Sequence, residues 1–152
     1  MNIQEVTDDL AKNIPGLDAS VEGESLIVPK EKLLAVTRFL KENEKYRMDY
    51  VSCVTGVDYL AKGYLESVSH LYSMEKKHGP IVLKVRVPRD NPRMPSLVPV
   101  YRGAEFQERE AYDLLGIFYE GHPDLRRILM WDEFEGHPLR KDYVQEDQDR
   151  TL

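Results

Sequence analysis

The segment EREAYDLLGIFYEGHPDLRRILMWDEFEGHPLRKDY, residues 108–143, gathers the side chains of this sequence that could do chemistry. Two Gly-His-Pro triplets, carrying His122 and His137, are each trailed by arginine: Arg126 and Arg127 after the first, Arg140 after the second. With Asp124 and Asp142 nearby, the two histidines could ligate zinc and support metal-assisted hydrolysis. Neither histidine has a partner at helical i, i+4 spacing, however, and no HExxH or HxH element occurs. The spacing fits a structural role better, with imidazole hydrogen bonds satisfying a loop that has little regular backbone pairing.

The carboxylates upstream offer a second possibility. Glu105 and Arg109 stand four apart, as do Arg109 and Asp113. That spacing predicts a solvated helix face laced with weak ion pairs, each worth about 0.3–0.5 kcal/mol. Glu108 and Glu110 are two apart on the same helix, so they point in different directions and cannot flank one substrate bond as a glycosidase pair does. The stretch between the triplets holds Leu125, Ile128, Leu129, Met130, Trp131 and Phe134, too apolar for disorder. Arginine, methionine and aromatic content is the mark of a protein contact, so this loop is expected to pack on its own sheet and on a neighbour. No GxGxxG follows a strand, and no GxxxxGK[ST] or GxSxG is present. Residue by residue, the sequence specifies a scaffold without a catalytic constellation.

The elements that must position these residues follow from periodicity. Ile3, Val6 and Leu10 predict a helix over 3–13, ended by Pro15-Gly16. A short hairpin is expected from LDASV, a turn at EGE, and SLIVP. Residues 30–45 read as an amphipathic helix. From Asp49 the period becomes two. Val51, Cys53 and Thr55 alternate with Tyr50, Ser52 and Val54, and two further alternating runs, YLESVSHLYSMEK and PIVLKVRVP, complete an antiparallel meander. Within it His70 is an in-sheet residue and His78 a turn residue. Residues 89–99 are a proline-rich connection in which neither helix nor strand persists. Residues 103–116 are helical again, with Gly116 at the left-handed position after the helix, and IFY could add one last short strand. Beyond Glu120 no periodicity remains, and the polar tail 144–152 reads as frayed. No linker divides the chain. The expectation is one α+β domain over 1–152, a mostly antiparallel sheet with helices packed on one face and a long irregular C-terminal segment.

Bulk properties exclude several classes. The 152 residues carry a formal charge of −6, which opposes binding to nucleic acid through the RR and RK clusters. No apolar run is long enough to span a bilayer. The N-terminal residues are acidic and lack a basic region followed by an apolar one, so no signal peptide is expected. Cys53 is the single cysteine and reads as a buried small hydrophobe on a strand. It excludes an intrachain disulfide, fits a reducing compartment, and cannot supply the four thiolates of an iron–sulfur cluster.

Residues 108–143 resemble the signature of the C subunit of respiratory complex I, the NADH-quinone oxidoreductase: ERE, YDLLGI, GHPDLRRIL and EGHPLRKDY occur in that family's order and spacing. The signature occupies 105–143, while DYVSCVTGVDYL, the meander and VPRDNPRMPSLVPVYRGAEFQ resemble the family more loosely. The resemblance implies a non-catalytic subunit of the peripheral arm of a proton-translocating electron-transport complex. It would lie on the cytoplasmic side of the membrane without spanning it. It would bind no cofactor or metal itself, the complex's FMN, iron–sulfur clusters and quinone residing on other subunits. Its implied partners are the D subunit, which builds the quinone site, the B subunit, which carries the terminal cluster, and further peripheral-arm subunits. Glu108, Arg109, Glu110, Asp113, His122, Asp124, Arg126, Arg127, Trp131, His137, Arg140, Lys141, Asp142 and Tyr143 would then be structural and interface residues. Two departures stand out. Val144 follows Tyr143 where the family often has proline, and only nine residues follow Tyr143 where many members carry a long extension around their partner. Complexes fed by reduced deazaflavin, ferredoxin or hydrogenase modules use similar subunits, so the donor is left open.

Overall fold

A computed structural model gives the fold and describes residues 1–146; most of the polar tail expected to fray lies outside the described residues. Helix α1 (Ile3–Asn13) starts where the Asn2 side chain accepts the Gln4 N–H, and it buries Val6 and Leu10. Strands β1 (Ser20–Glu22) and β2 (Ser25–Ile27) form the expected hairpin. Helix α2 (Leu33–Glu42) is shorter than the 30–45 expected, because a 3-10 turn occupies Lys30–Lys32 and the helix stops at Glu42. The physical reason lies in Asn43, whose side chain accepts the Lys45 N–H and starts a turn. Met48 N–H then reaches back to Leu40 O, delivering Tyr46 and Met48 into the core.

Strands β3 (Tyr50–Tyr59), β4 (Tyr64–Ser73) and β5 (His78–Pro88) form the meander. The sheet order is β1-β2-β5-β4-β3, antiparallel throughout except for the β2–β5 pair. Simple alternation fails in β3. A register shift between Val51 and Cys53 changes the phase, so Val51 and Val54 both face the core. Cys53 falls on the opposite face and is half-buried rather than enclosed. In β5, two strands away, Ile81, Leu83, Val85 and Val87 are all buried, as the period of two requires.

The proline-rich connection does contain a strand. Strand β6 (Arg93–Pro95) pairs in parallel with β7 (Phe118–Glu120), which follows helix α3 (Glu105–Leu115). Prolines masked it, since they depress any strand reading even where, as here, the pair stands at the edge of a two-stranded sheet. The helices and the inward side of the large sheet share one hydrophobic cluster, from Val6 and Leu10 through Leu83 and Val85 to Leu115 and Tyr119. The resulting architecture is α+β with a mostly antiparallel sheet. Helix α3 lies against β3 so closely that a Cβ on Gly56 would fall 2.5 Å from Leu115 Cδ1. Across the edge of β3, the Val54 N–H is taken by Gln107 Oε1 of α3 at 2.7 Å.

Candidate functional site

Helix α3 holds the first half of the signature, and its charged face is closed off from water. Glu108 and Asp113 are both 0 % exposed and Arg109 is buried, which overturns the expectation of a solvated face. Nor do Glu105, Arg109 and Asp113 pair with one another. Arg109 instead donates from Nε to Arg126 O at 3.1 Å and from Nη2 to Arg127 O at 2.9 Å. One turn on, Asp113 Oδ2 accepts the N–H groups of Ile128, Leu129 and Met130 at 3.1, 2.7 and 2.9 Å. Its Oδ1 accepts Arg127 Nη1 at 2.6 Å. Burial would raise the Asp113 pKa, but the Met130 N–H, Arg127, and the Leu129 and Ile128 N–H groups outweigh it and hold the carboxyl below its ordinary value.

Arg127 carries this grip across the loop. Its Nη2 donates to Phe134 O and Gly136 O, both at 2.9 Å, so one guanidinium ties the helix to both limbs of the 126–136 segment. Arg126 next to it does something different: it is 66 % exposed and pairs with Asp124 on the surface, whereas Arg127 is 14 % exposed. Sequence reasoning treated the two arginines alike, and the structure separates them.

The second Gly-His-Pro triplet closes the helix end. A helix leaves its last carbonyls without intrahelical donors. Here His137 Nδ1 lies 3.0 Å from Asp113 O, Leu139 N–H donates to Leu114 O, and Arg140 Nε donates to Leu115 O at 2.6 Å. The bond to a carbonyl requires the proton on His137 Nδ1. Burial, with Arg140 and Arg127 nearby, pushes the His137 pKa down. Gly116 adopts φ 80°, and a Cβ there would meet Arg140 and His137 at 2.7 Å, so the triplet can dock only against glycine. The first triplet uses the other tautomer. His122 Nδ1 accepts the Asp124 N–H, so Nε2 carries the proton donated to Glu105 O at 2.8 Å.

Asp58 and Arg89, which sequence reasoning did not single out, anchor the last turn of the segment to the sheet. Arg89 binds Asp58 through two bonds and Asp142 through two more, and Asp58 also accepts the Lys141 N–H. The available signal was an aspartate on the inward phase of an apolar strand, VTGVDY. Burial works to raise the Asp58 pKa, but Arg89 and the Lys141 N–H prevail and lower it. Tyr143 stacks on Phe134, and Trp131 meets the edge of the same ring.

The residues that could have held zinc are not brought together. Asp124 belongs to Arg126 and Asp142 to Arg89, while each histidine binds a different stretch of α3. Among the described residues no three His, Cys, Asp or Glu side chains form a group that could hold a metal. Among charged neighbours such as Asp124, Arg126, Asp132, Glu133, Lys141 and Asp142, the segment also exposes Ile128, Leu129, Trp131 and Leu139, Leu129 by 62 %, and α3 exposes Phe106 and Glu110.

Fold and site together define an α+β domain in which one helix clamps a long irregular loop by its main chain. Sequence comparison supplies the lineage: residues 26–149 match the family described as "Respiratory-chain NADH dehydrogenase, 30 Kd subunit", and the chain belongs to that family. The NADH-quinone oxidoreductase C subunit of Moorella thermoacetica is 41% identical over 137 residues, covering 89% of this chain and 90% of that protein. The C subunit of Chloroherpeton thalassium is 44% identical over 113 residues, covering 74% of this chain. The chain spans about half the length of that relative, 47%, and 63% of a C subunit of Rhizobium meliloti. Among solved structures, a chain of the membrane-bound sulfane sulfur reductase, an archaeal respiratory membrane complex, superposes with a TM-score of 0.74 at 26% identity, covering 98% of both chains. A trypsin-resistant fragment of Nqo5 gives a TM-score of 0.57 at 28% identity, covering 82% of this chain and 100% of the fragment. Among the described residues no helix is long and apolar enough to cross a membrane.

Proposed function

We propose that this chain is a cofactor-free, non-catalytic peripheral-arm subunit of a proton-translocating NADH-quinone oxidoreductase. It lies on the cytoplasmic side of the membrane and braces the quinone-site D subunit and the cluster-bearing B subunit. Electrons then pass from NADH through FMN and iron–sulfur clusters to quinone on those neighbours. One observation carries the reading: in the family's signature the buried Arg109 and Asp113 are used on the loop's main chain, while Ile128, Leu129, Trp131 and Leu139 face outward. Arg109, Asp113, His122, Arg127, His137 and Arg140 shape that surface, while Glu110, Asp124, Arg126, Trp131, Lys141, Asp142 and Tyr143 lie on or beside it. A patch of exposed apolar and aromatic side chains on an acidic chain is what a protein partner covers.

The test is recovery of the full chain with its assembly from native membranes. A tagged wild-type copy is expected to bring down the cluster-bearing subunits, and Leu129→Asp to come down alone with an unchanged unfolding midpoint. Wild-type chain recovered without such subunits, or with stoichiometric metal of its own, overturns the reading.

A second reading, a subunit of a related complex fed by reduced deazaflavin, ferredoxin or a hydrogenase module, is favoured by one observation. The archaeal sulfane sulfur reductase chain superposes over more of this chain, and more closely, than the Nqo5 fragment does. Mass spectrometry of the same purification separates the two by the donor module that accompanies the chain.

A further inference from the structure

Glu108 lies within α3, and its carboxylate meets only neutral donors. Ser96 Oγ–H donates to Oε2 and the Leu97 N–H to Oε1, each at 2.6 Å. Among the described residues no lysine, arginine or histidine bonds to it. The cations of the surrounding elements are engaged elsewhere: Arg109 with the carbonyls of 126 and 127, Lys41 with Val100 O, and Arg93 with Glu120. From β7 the titratable group that faces it is the phenol of Tyr119, itself buried and paired with Ser67 Oγ at 3.2 Å. Burial raises the Tyr119 pKa first, and the charge on Glu108 raises it further. A carboxylate enclosed without a countercharge is relieved by taking up a proton.

We propose that Glu108 is a proton-binding site of this protein, taking one proton from water onto Oε2 and keeping both of its anchors in the protonated form. The new O–H donates to Ser96 Oγ, whose own hydrogen turns aside. That oxygen already accepts the Val98 N–H at 3.1 Å, and its second lone pair is free for the acid. Oε1 remains a carbonyl oxygen and continues to accept the Leu97 N–H. The site gains one proton and loses one negative charge; the hydrogen bond between Ser96 and Glu108 reverses direction, and the new O–H is the one covalent bond formed. Burial pushes the carboxyl up to about 7, with Ser96 and the Leu97 N–H pulling the other way. The turn above it stays closed in both states, held by Ser96 N–H on Glu120 O and by Val100 and Tyr101 N–H on Leu97 O.

The folded value exceeds the ordinary 4.5, so the folded chain binds more protons than the unfolded one in between. The stability this site contributes is complete below pH 4.5 and is lost as pH rises through about 7. Carbon NMR of the full chain, labelled at the glutamate carboxyl, tests this directly. One resonance is expected to titrate near pH 7 and to be missing in Glu108→Gln, whose unfolding midpoint should also lose the downward slope between pH 4.5 and 7. If that variant does not fold, Ser96→Ala replaces it: removing a donor to the charged form should move the same resonance to a higher midpoint. All glutamates titrating near 4.5, or a neutral-pH resonance that survives in Glu108→Gln or stays put in Ser96→Ala, overturns the proposal.

Discussion

Glu108 and Asp113 stand on one helix, both closed off from solvent, and each anchors a different loop. Glu108 holds the 96–98 turn through two neutral donors, whereas Asp113 holds the 127–130 strip through an arginine and three main-chain N–H groups. The same burial therefore has opposite outcomes: one carboxyl is raised and the other lowered. The number and charge of the donors decide the direction, because desolvation acts against the ionised form in both. The 127–130 strip is the loop that α3 holds with charge. The 96–98 turn is the one it holds without.

The largest expected effect breaks the Asp113 side. Asp113→Ala leaves Arg127 and three N–H groups without their acceptor, and removing one partner of such a pair costs about 3–5 kcal/mol. Chemical denaturation measures the loss, and limited proteolysis should open the 127–136 segment before the 96–98 turn. Gly56→Ala attacks both loops through their shared helix, since the added methyl meets Leu115 at 2.5 Å and Ile117 at 3.1 Å. Overpacking of this kind costs about 1–3 kcal/mol, and neither loop should open preferentially. Glu108→Ala strands two donors rather than four and is expected to cost about 1–3 kcal/mol, with proteolysis now favouring the 96–98 turn.

Acid sharpens the comparison without any substitution. Asp113 has a lowered folded value, so its contribution is present above its ordinary 3.8 and is lost as pH falls through the folded one. Glu108 behaves in the opposite sense, and the two contributions coexist in full only between 3.8 and 4.5. The difference between the unfolding midpoints of wild type and Glu108→Gln should fall as pH rises from 4.5 toward about 7, because the other shifted groups, His137 among them, are common to both proteins. The smallest effect is at Arg126. Because it is exposed and its side chain, among the described residues, pairs with Asp124 alone, Arg126→Ala should change stability by no more than about 0.5 kcal/mol, while Arg127→Ala should resemble Asp113→Ala.

The helices, the hairpin, the meander and the left-handed Gly116 were legible because each rests on local periodicity or a local backbone requirement. Residues 121–143 were rightly legible as aperiodic, whereas the histidines bond chiefly to α3 instead of within the loop: His137 binds Asp113 O, and His122 binds Glu105 O as well as the Asp124 N–H. The buried charged face of α3 was not legible. A four-residue spacing suggests pairs along a helix, but the partners of Arg109 and Asp113 lie 14–18 positions downstream, beyond any local pattern. The bulge in β3 escaped for a related reason: a single inserted residue changes the phase of a strand without changing its composition. Asp58 and Arg89 were invisible as a pair because the contact joins strand ends 31 residues apart.

The clamp on the 126–136 segment has a consequence for how this surface can change. Arg109, Asp113 and Arg127 grip carbonyl oxygens and amide hydrogens, atoms that every residue but proline supplies in full. The backbone path is therefore indifferent to which side chains project from positions 128–130, so the outward face can be rewritten over successive generations while its contour stays fixed.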